Sequence, residues 1–264
     1  MKFLVQQQPA YVYTGGKPFD ASKPGVVFIH GAANDHSVWT LQARYFAHHG
    51  WNAMAVDLPG HGKSFGDAKT SLAGYADWII SLLDNGAVGK AALIGHSMGS
   101  LIALDCAARH GPRVSRIALL GASAPMPVSD VLLDAARYRS ADAVDMLNIW
   151  GHAPQRKWGR NPTPGTSAMM AYKRLLEQSR PGALANDLAA CHAFVPDDTF
   201  FANITVPTLV VAGTHDMMTP AKSSQALAAR MADCRFSLLD ETGHAMMQEA
   251  PGEILDLLKG FLKP

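Results

Sequence analysis

Ala91-Ala92-Leu93-Ile94-Gly95-His96-Ser97-Met98-Gly99 is an apolar run that breaks into G-x-S-x-G. A helical pattern follows, with Leu101, Ile102, Leu104 and Cys106 before Gly111-Pro112. A serine at such a strand-to-helix turn is held in a strained backbone conformation, its hydroxyl exposed at the carboxyl edge of a sheet. The glycines fit because side chains there would collide with the close-packed strand and helix. Ser97 therefore reads as a nucleophile. The plainer alternative is a serine that caps the helix N-terminus.

A nucleophile needs a base, and the base needs an orienting acid, in the chain order serine, acid, histidine. His244 follows the strand-like run Phe236-Ser237-Leu238-Leu239 and sits in Glu241-Thr242-Gly243-His244 near the C-terminus. Asp216 follows the buried-strand pattern Val210-Val211-Ala212-Gly213, with Thr219-Pro220 opening a helix behind it. Asp240 is a rival acid, but it lies next to His244 in the wrong chain position. The turn after Leu120 reads Gly121-Ala122-Ser123 and offers no acid. A tetrahedral intermediate also needs two backbone N–H groups aimed at its oxygen. One is expected from Met98, at the positive end of its helix. The other is expected from Ala32, in the turn His30-Gly31-Ala32-Ala33 after the strand Val26-Val27-Phe28-Ile29. His30 and His61 read as structural histidines.

These segments, with Asp57-Leu58-Pro59-Gly60-His61-Gly62-Lys63-Ser64, resemble the α/β-hydrolase superfamily, in its lid-bearing esterase, lactonase and carbon–carbon hydrolase group. The resemblance implies an α/β fold with a mostly parallel eight-stranded sheet, helices on both faces and an inserted helical lid. It also implies cofactor-free cleavage of small carboxylic esters, thioesters or lactones through an acyl-enzyme. Carbon–carbon hydrolases of ring-cleavage products are the alternative. They commonly carry a tryptophan after the catalytic histidine, where this chain has Ala245-Met246-Met247, and an arginine in the lid, for which Arg156 or Arg160 is a candidate. A non-catalytic small-molecule receptor on the same fold is the alternative of another class.

Composition points the same way. The chain has 264 residues, 48% hydrophobic and 17% charged, which suits one large core. A net charge of +1 gives no reason to expect nucleic acid or an anionic membrane as partner. No apolar stretch reaches membrane-spanning length, and the opening residues read as a strand rather than a leader, so a cytoplasmic location is expected. Cys106, Cys191 and Cys234 fit reduced thiols. No metal-ligand spacing is found. The expected partner is a small ester-like substrate, and homo-oligomer formation stays open.

Strands and helices alternate up to Leu120 and again from Thr208, the signature of a parallel sheet covered on both faces. The core is therefore assigned to 1–124 and 204–264, and a helical lid to 125–203. Within the lid, Val128–Trp150, Thr163–Gln178 and Gly182–Phe194 read as helices, and Gly151–Pro164 as a loop. Trp150, Met146 and Met169 from the lid, with Met217 and Met246 beside the acid and the base, are the candidate pocket residues. Trp158, Met170, Tyr138, Tyr172, Phe200 and Phe201 are further lid candidates. Flexible thioethers would suit an apolar, adaptable pocket. His152, Arg156, Lys157 and Arg160 read as a solvated basic cluster, the alternative being a site for a substrate carboxylate.

Overall fold

The computed structural model describes residues 1–159, 161–162 and 165–263, with Lys157 and Trp158 described by backbone alone. The first half of the core runs β1 (Lys2–Val5), β2 (Gln8–Tyr13), β3 (Gly25–Ile29), α1 (Thr40–His48), β4 (Asn52–Val56), α2 (Leu72–Asn85), β5 (Ala91–His96), α3 (Met98–Arg109) and β6 (Val114–Leu120). Among the described residues, five α-helices then intervene: α4 (Asp130–Tyr138), α5 (Ser140–Trp150), α6 (Ala168–Glu177), α7 (Ala183–His192) and α8 (Asp198–Ala202). The chain returns through β7 (Thr208–Gly213), α9 (Ala221–Ala228), β8 (Cys234–Leu239), α10 (Met246–Glu249) and α11 (Pro251–Phe261). The strands form one eight-stranded sheet in the order β1-β2-β4-β3-β5-β6-β7-β8. β2 pairs antiparallel with β1 and β4, and every other pairing is parallel.

The inner strands β3, β4, β5 and β7 are buried along their whole length, as parallel strands covered on both faces must be. Alternation of side chains divides their residues between two cores. Val27, Ile29, Leu93, Ile117 and Leu119 pack with α2, α3 and α9 on one face. Val26, Phe28, Ile94, Ala118 and Leu120 pack with α1 and α11 on the other. The apolar stripe of α11 is what buries it there, through Ile254, Leu258 and Phe261.

Two expected helices of the insertion depart from their sequence reading, and two short elements are unexpected, a 3₁₀ turn at Pro154–Trp158 within the expected loop and α8. Val128–Trp150 is two helices, broken at Arg139, which has the non-helical angles φ −146° and ψ 60°. No glycine or proline marks the break. Its return lies in packing, because Leu132, Ala135 and Ala136 of α4 join Ala143, Val144 and Leu147 of α5 in one apolar cluster. The next helix begins only at Ala168, where the Ser167 hydroxyl caps the Met170 amide. Thr163 and Pro164, at the expected start, lie outside the described residues. Among the described residues no helix is long and apolar enough to cross a membrane. Cys106, Cys191 and Cys234 are unbridged.

Candidate active site

Ser97 sits between β5 and α3 with φ 53° and ψ −120°, a conformation that costs a non-glycine residue ~1–3 kcal/mol. The two glycines explain how the turn closes. A Cβ on Gly95 would overlap the Gly99 carbonyl, and one on Gly99 would overlap the Ile29 carbonyl of β3. The turn is pinned from the neighbouring strand, since the Ser97 amide donates to the Leu120 carbonyl at 2.9 Å. The Ser100 hydroxyl spans the Gly95 and Leu120 carbonyls at 2.8 and 3.1 Å.

The loops after β7 and β8 bring Asp216 and His244 together, with His244 Nδ1 2.8 Å from Asp216 Oδ2. Asp216 is held by its own loop. Its Oδ1 accepts the Met218 and Thr219 amides at 2.9 and 2.8 Å, and its Oδ2 accepts the Thr219 hydroxyl at 2.7 Å. Burial works against the Asp216 anion, yet the charge and hydrogen bond of His244, with the Thr219 bonds, hold its carboxyl below the usual carboxylate range. Thr219 read only as a helix start in the sequence; its hydroxyl bond to Asp216 has no local signal. Gly121 (φ 58°) lies against the pair, and a Cβ there would come 3.0 Å from His244 Nδ1 and 3.4 Å from Asp216 Oδ2. His244 Nε2 is buried without a hydrogen-bond partner, so no hydrogen bond joins it to Ser97. His96 steadies His244 from behind. Its Nε2 lies 2.8 Å from the His244 carbonyl and donates to it. Burial and the nearby His244 push its pKa down to about 3, so the ring is neutral at neutral pH.

The turn after β3 approaches Ser97 closely, for a Cβ on Gly31 would lie 3.2 Å from the Ser97 Cβ. Among the described residues neither the Ala32 nor the Met98 amide hydrogen-bonds to another group of the chain. His30 ties this turn, its Nδ1 donating to the Gly31 carbonyl at 2.8 Å and its Nε2 accepting the Leu58 amide at 3.1 Å. Ala33, the next residue, is left-handed with φ 55°, which costs ~1–2 kcal/mol without a compensating contact. That contact is Asp187 of α7, whose Oδ2 accepts the Ala33 amide at 2.9 Å.

Asp187 is fully buried. It also takes His61 Nε2 at 2.7 Å and the Tyr75 hydroxyl at 2.9 Å. His61 Nδ1 lies 3.0 Å from the Pro59 carbonyl. Both ring nitrogens thus face acceptors, and only the imidazolium can donate to both. Burial opposes that charge, but Asp187 raises the His61 pKa above its usual 6.5. Burial likewise opposes the Asp187 anion, and His61 holds its carboxyl below 3.8. A raised histidine contributes stability that is complete below 6.5 and is lost as pH rises through the folded-state value. A depressed carboxyl contributes stability present above 3.8 and lost as pH falls through its folded-state value. Thermal melts of wild type and His61→Gln are therefore expected to differ most in mildly acidic buffer and to converge as pH climbs past neutrality. A gap that widens with pH would contradict a charged His61.

A cavity of about 190 Å³ opens over Ser97 and His244. Leu132, Leu147, Trp150 and Leu188 from the insertion and Met217 and Met218 from the loop of Asp216 are among its walls, with Asn34 and Tyr172 as polar members. Of the five pocket candidates, Trp150 and Met217 line this cavity, Met217 at its mouth and 64% exposed. Met246 is instead fully buried in the core beneath the sheet. Met146 packs against the insertion's own apolar cluster, and Met169 is half-buried on α6 away from the cavity. Tyr138 points to solvent at 79% exposure, and Met170 is exposed too. Phe200 and Phe201 join the core of the α2 face, and the Trp158 side chain lies outside the described residues. Helix phase does not separate the α5 residues, because Trp150 lies three residues from Leu147 and four from Met146 and shares a face with both.

The two members of the basic cluster whose side chains are described are not on a solvated face. His152 is buried, its Nδ1 donating to the Asn148 carbonyl at 2.9 Å. Arg156 is half-buried and donates through Nη2 to the Glu249 carbonyl at 2.9 Å. The Glu249 carboxylate also accepts the Ala153 amide at 3.1 Å, and the Ala245 amide donates to the Gly151 carbonyl at 2.8 Å. The segment 151–156 is thus fastened to the loop that carries His244. Arg160 and the Lys157 side chain lie outside the described residues. The fold also gathers Asp35, His36 and Asp57, whose ligand atoms lie within 4.8 Å of one another. The Asp57 carboxylate is already committed to the His36 ring at 2.7 Å and to the His36 and Lys63 amides at 2.8 Å each, ties that hold the 57–64 loop.

The profile of the family described as "Alpha/beta hydrolase family" matches residues 26–257. A pimeloyl-[acyl-carrier protein] methyl ester esterase of Aromatoleum aromaticum is 28% identical over 263 residues, covering 92% of this chain and 99% of that protein. An (E)-2-((N-methylformamido)methylene)succinate hydrolase of Acinetobacter baylyi is 26% identical over 243 residues, covering 90% of each. The crystal structure of an enol-lactonase from Burkholderia xenovorans superposes with a TM-score of 0.86 at 20% identity, covering 99% of both chains.

Proposed function

The chain belongs to the alpha/beta hydrolase family, and from that premise we propose that it is a serine hydrolase of small carboxylic esters, with 125–203 acting as a lid. The observation that carries this reading is the convergence on one cavity of Ser97 and a His244 whose Nε2 has no other partner. In this reading Ser97 Oγ attacks the ester carbonyl and His244 Nε2 takes its proton. The Ser97–His244 hydrogen bond forms as substrate arrives. Asp216 keeps the other imidazole proton on Nδ1 and balances the positive ring. The Met98 and Ala32 amides receive the oxyanion. His244 then passes its proton to the departing alcohol, and water resolves the acyl-enzyme. Thioesters and lactones fit the same machinery. The chain supplies every catalytic group in the scheme, so it invokes no cofactor.

The cavity supports a short, uncharged acyl group. At about 190 Å³ it falls below the ~300–1,000 Å³ of most ligand pockets, and its insertion-side wall is mainly aliphatic and aromatic. Along a series of p-nitrophenyl esters, kcat/KM is expected to rise by up to about fourfold per methylene, the ~0.8 kcal/mol of a buried CH₂. It then falls once the cavity is full, with the optimum at short chains. Arg156→Ala is expected to lower the melting temperature without changing the preference between neutral and carboxylate-bearing esters, because Arg156 is engaged with Glu249. A flat chain-length profile with a strong preference for charged esters would overturn the apolar-pocket reading. Turnover of a ring-cleavage product faster than every ester would replace it with carbon–carbon bond hydrolysis.

A further inference from the structure

Asp187 stands 154 residues from Ala33 in the chain yet bonds its amide. It belongs to the insertion, whereas Ala33 belongs to the turn that carries the proposed Ala32 donor. We infer that Asp187 is a positioning residue: its carboxylate holds the left-handed Ala33 and so aims the Ala32 amide at the oxyanion, making correct seating of α7 a condition for turnover. The inference rests on the ester-hydrolase reading for its kinetic consequence, though not for its structural one.

Four observations converge on it. The Ala33 backbone is strained, with φ 55°, and such a conformation persists only when its surroundings over-determine it. A charge-assisted acceptor, about twice as strong as a neutral one, sits on that residue's own amide. The carboxylate is itself fixed, since His61 and Ala33 share Oδ2 while Tyr75 and Asn186 donate to Oδ1. His61 and Tyr75 belong to the core, so the anchor joins the insertion to the loop after β4 and to α2 as well as to the turn. Finally, Asp187 lies on the apolar side of its helix, in phase with Leu184, Leu188 and Cys191. A buried carboxylate there is a liability for packing unless those donors are its purpose.

The test uses Asp187→Asn in the full chain, with three readouts. Amide hydrogen exchange of the 30–36 segment is expected to speed up about tenfold, as a neutral amide oxygen replaces the carboxylate that holds the strained turn. With p-nitrophenyl butyrate, kcat/KM per fluorophosphonate-titrated Ser97 is expected to fall about 10- to 100-fold, somewhat less than removal of an oxyanion donor outright. The loss should appear in kcat, with KM nearly unchanged. A short-chain alkyl trifluoromethyl ketone supplies the third readout. Ser97 Oγ adds to its carbonyl carbon, the serine proton passes to His244, and the carbonyl oxygen becomes an oxyanion. Its Ki should rise by the same factor as kcat/KM falls.

Ala33→Gly in the Asp187→Asn background is expected to recover most of the lost rate, because glycine adopts positive φ without strain. If Asp187→Asn does not fold, Tyr75→Phe removes one donor to Oδ1 while keeping the ring, and a smaller change in the same direction is expected. Faster exchange with kcat/KM per titrated serine and ketone affinity both unchanged would reduce Asp187 to a structural role and overturn the proposal. Unchanged exchange would overturn it as well. A wild-type chain inert toward every ester would instead sink the ester-hydrolase reading, and the exchange measurement would still decide whether Asp187 holds the turn.

Discussion

Ser97→Ala is expected to lower kcat by about 10⁴- to 10⁶-fold while the protein folds as before. The elbow owes its shape to bonds that do not use the serine hydroxyl: the Ser97 amide on the Leu120 carbonyl and the Ser100 hydroxyl across Gly95 and Leu120. Alanine meets the same backbone restriction at positive φ as serine, so the strain is retained and not increased. Neither Ser100 nor Ser129 is free to take over the reaction. Ser100 is buried with its hydroxyl already engaged, and Ser129, on the cavity wall, caps α4 by accepting the Leu132 amide. A fluorophosphonate should label the wild type at Ser97 alone, as read by peptide mass spectrometry. Labelling at Ser129, or undiminished activity in Ser97→Ala, would end the serine-hydrolase reading.

Asp216→Asn is expected to cost about 10⁴ in kcat, and the bond pattern says why. Oδ1 accepts two backbone amides, so the asparagine carbonyl must take that place. Its NH₂ then occupies the position of Oδ2, facing His244 Nδ1 and the Thr219 hydroxyl. It donates to Nδ1, drives the imidazole proton to Nε2 and leaves no base toward Ser97. Asp240→Asn is expected to change kcat by less than about tenfold. Its carboxylate is engaged with the Thr214 hydroxyl and the Glu241 amide, at 3.3 and 2.9 Å, and is remote from the imidazole. Steady-state kinetics on one ester distinguishes the two, and a reversal of the two effects would reassign the acid.

What the sequence makes legible is whatever local patterning encodes. Ser97, Asp216 and His244 each end a short apolar run at a turn, so strand and turn signals alone place them on one sheet edge. The insertion is harder because its decisive partners are distant. Arg156 looks like a free cation until the fold supplies Glu249, 93 residues away. Met246 and Trp150 look alike as pocket walls, and only the path of α10 sends one beneath the sheet. The break at Arg139 carries no breaking residue and follows from packing between two helices. Asp187 did leave a trace. Leu184, Asp187, Leu188 and Cys191 form an i, i+3, i+4, i+7 stripe, and a carboxylate within such a stripe marks a buried charge in search of donors.

The two fastenings of the insertion bear on modularity. The segment 151–156 is tied to the loop bearing His244, and Asp187 to the turn bearing Ala32. Recombining 125–203 with the corresponding segment of another protein would look like a clean exchange of specificity cassettes, since both junctions fall between strands. In this chain such a graft also swaps the fittings that hold the turns of Ala32 and His244, on which the proposed chemistry rests. A chimera that keeps Asp187 and the backbone of 151–153 can inherit a new preference at the old speed. One that loses them would be slow on every substrate, and the fault would be misread as a poor fit to the new pocket.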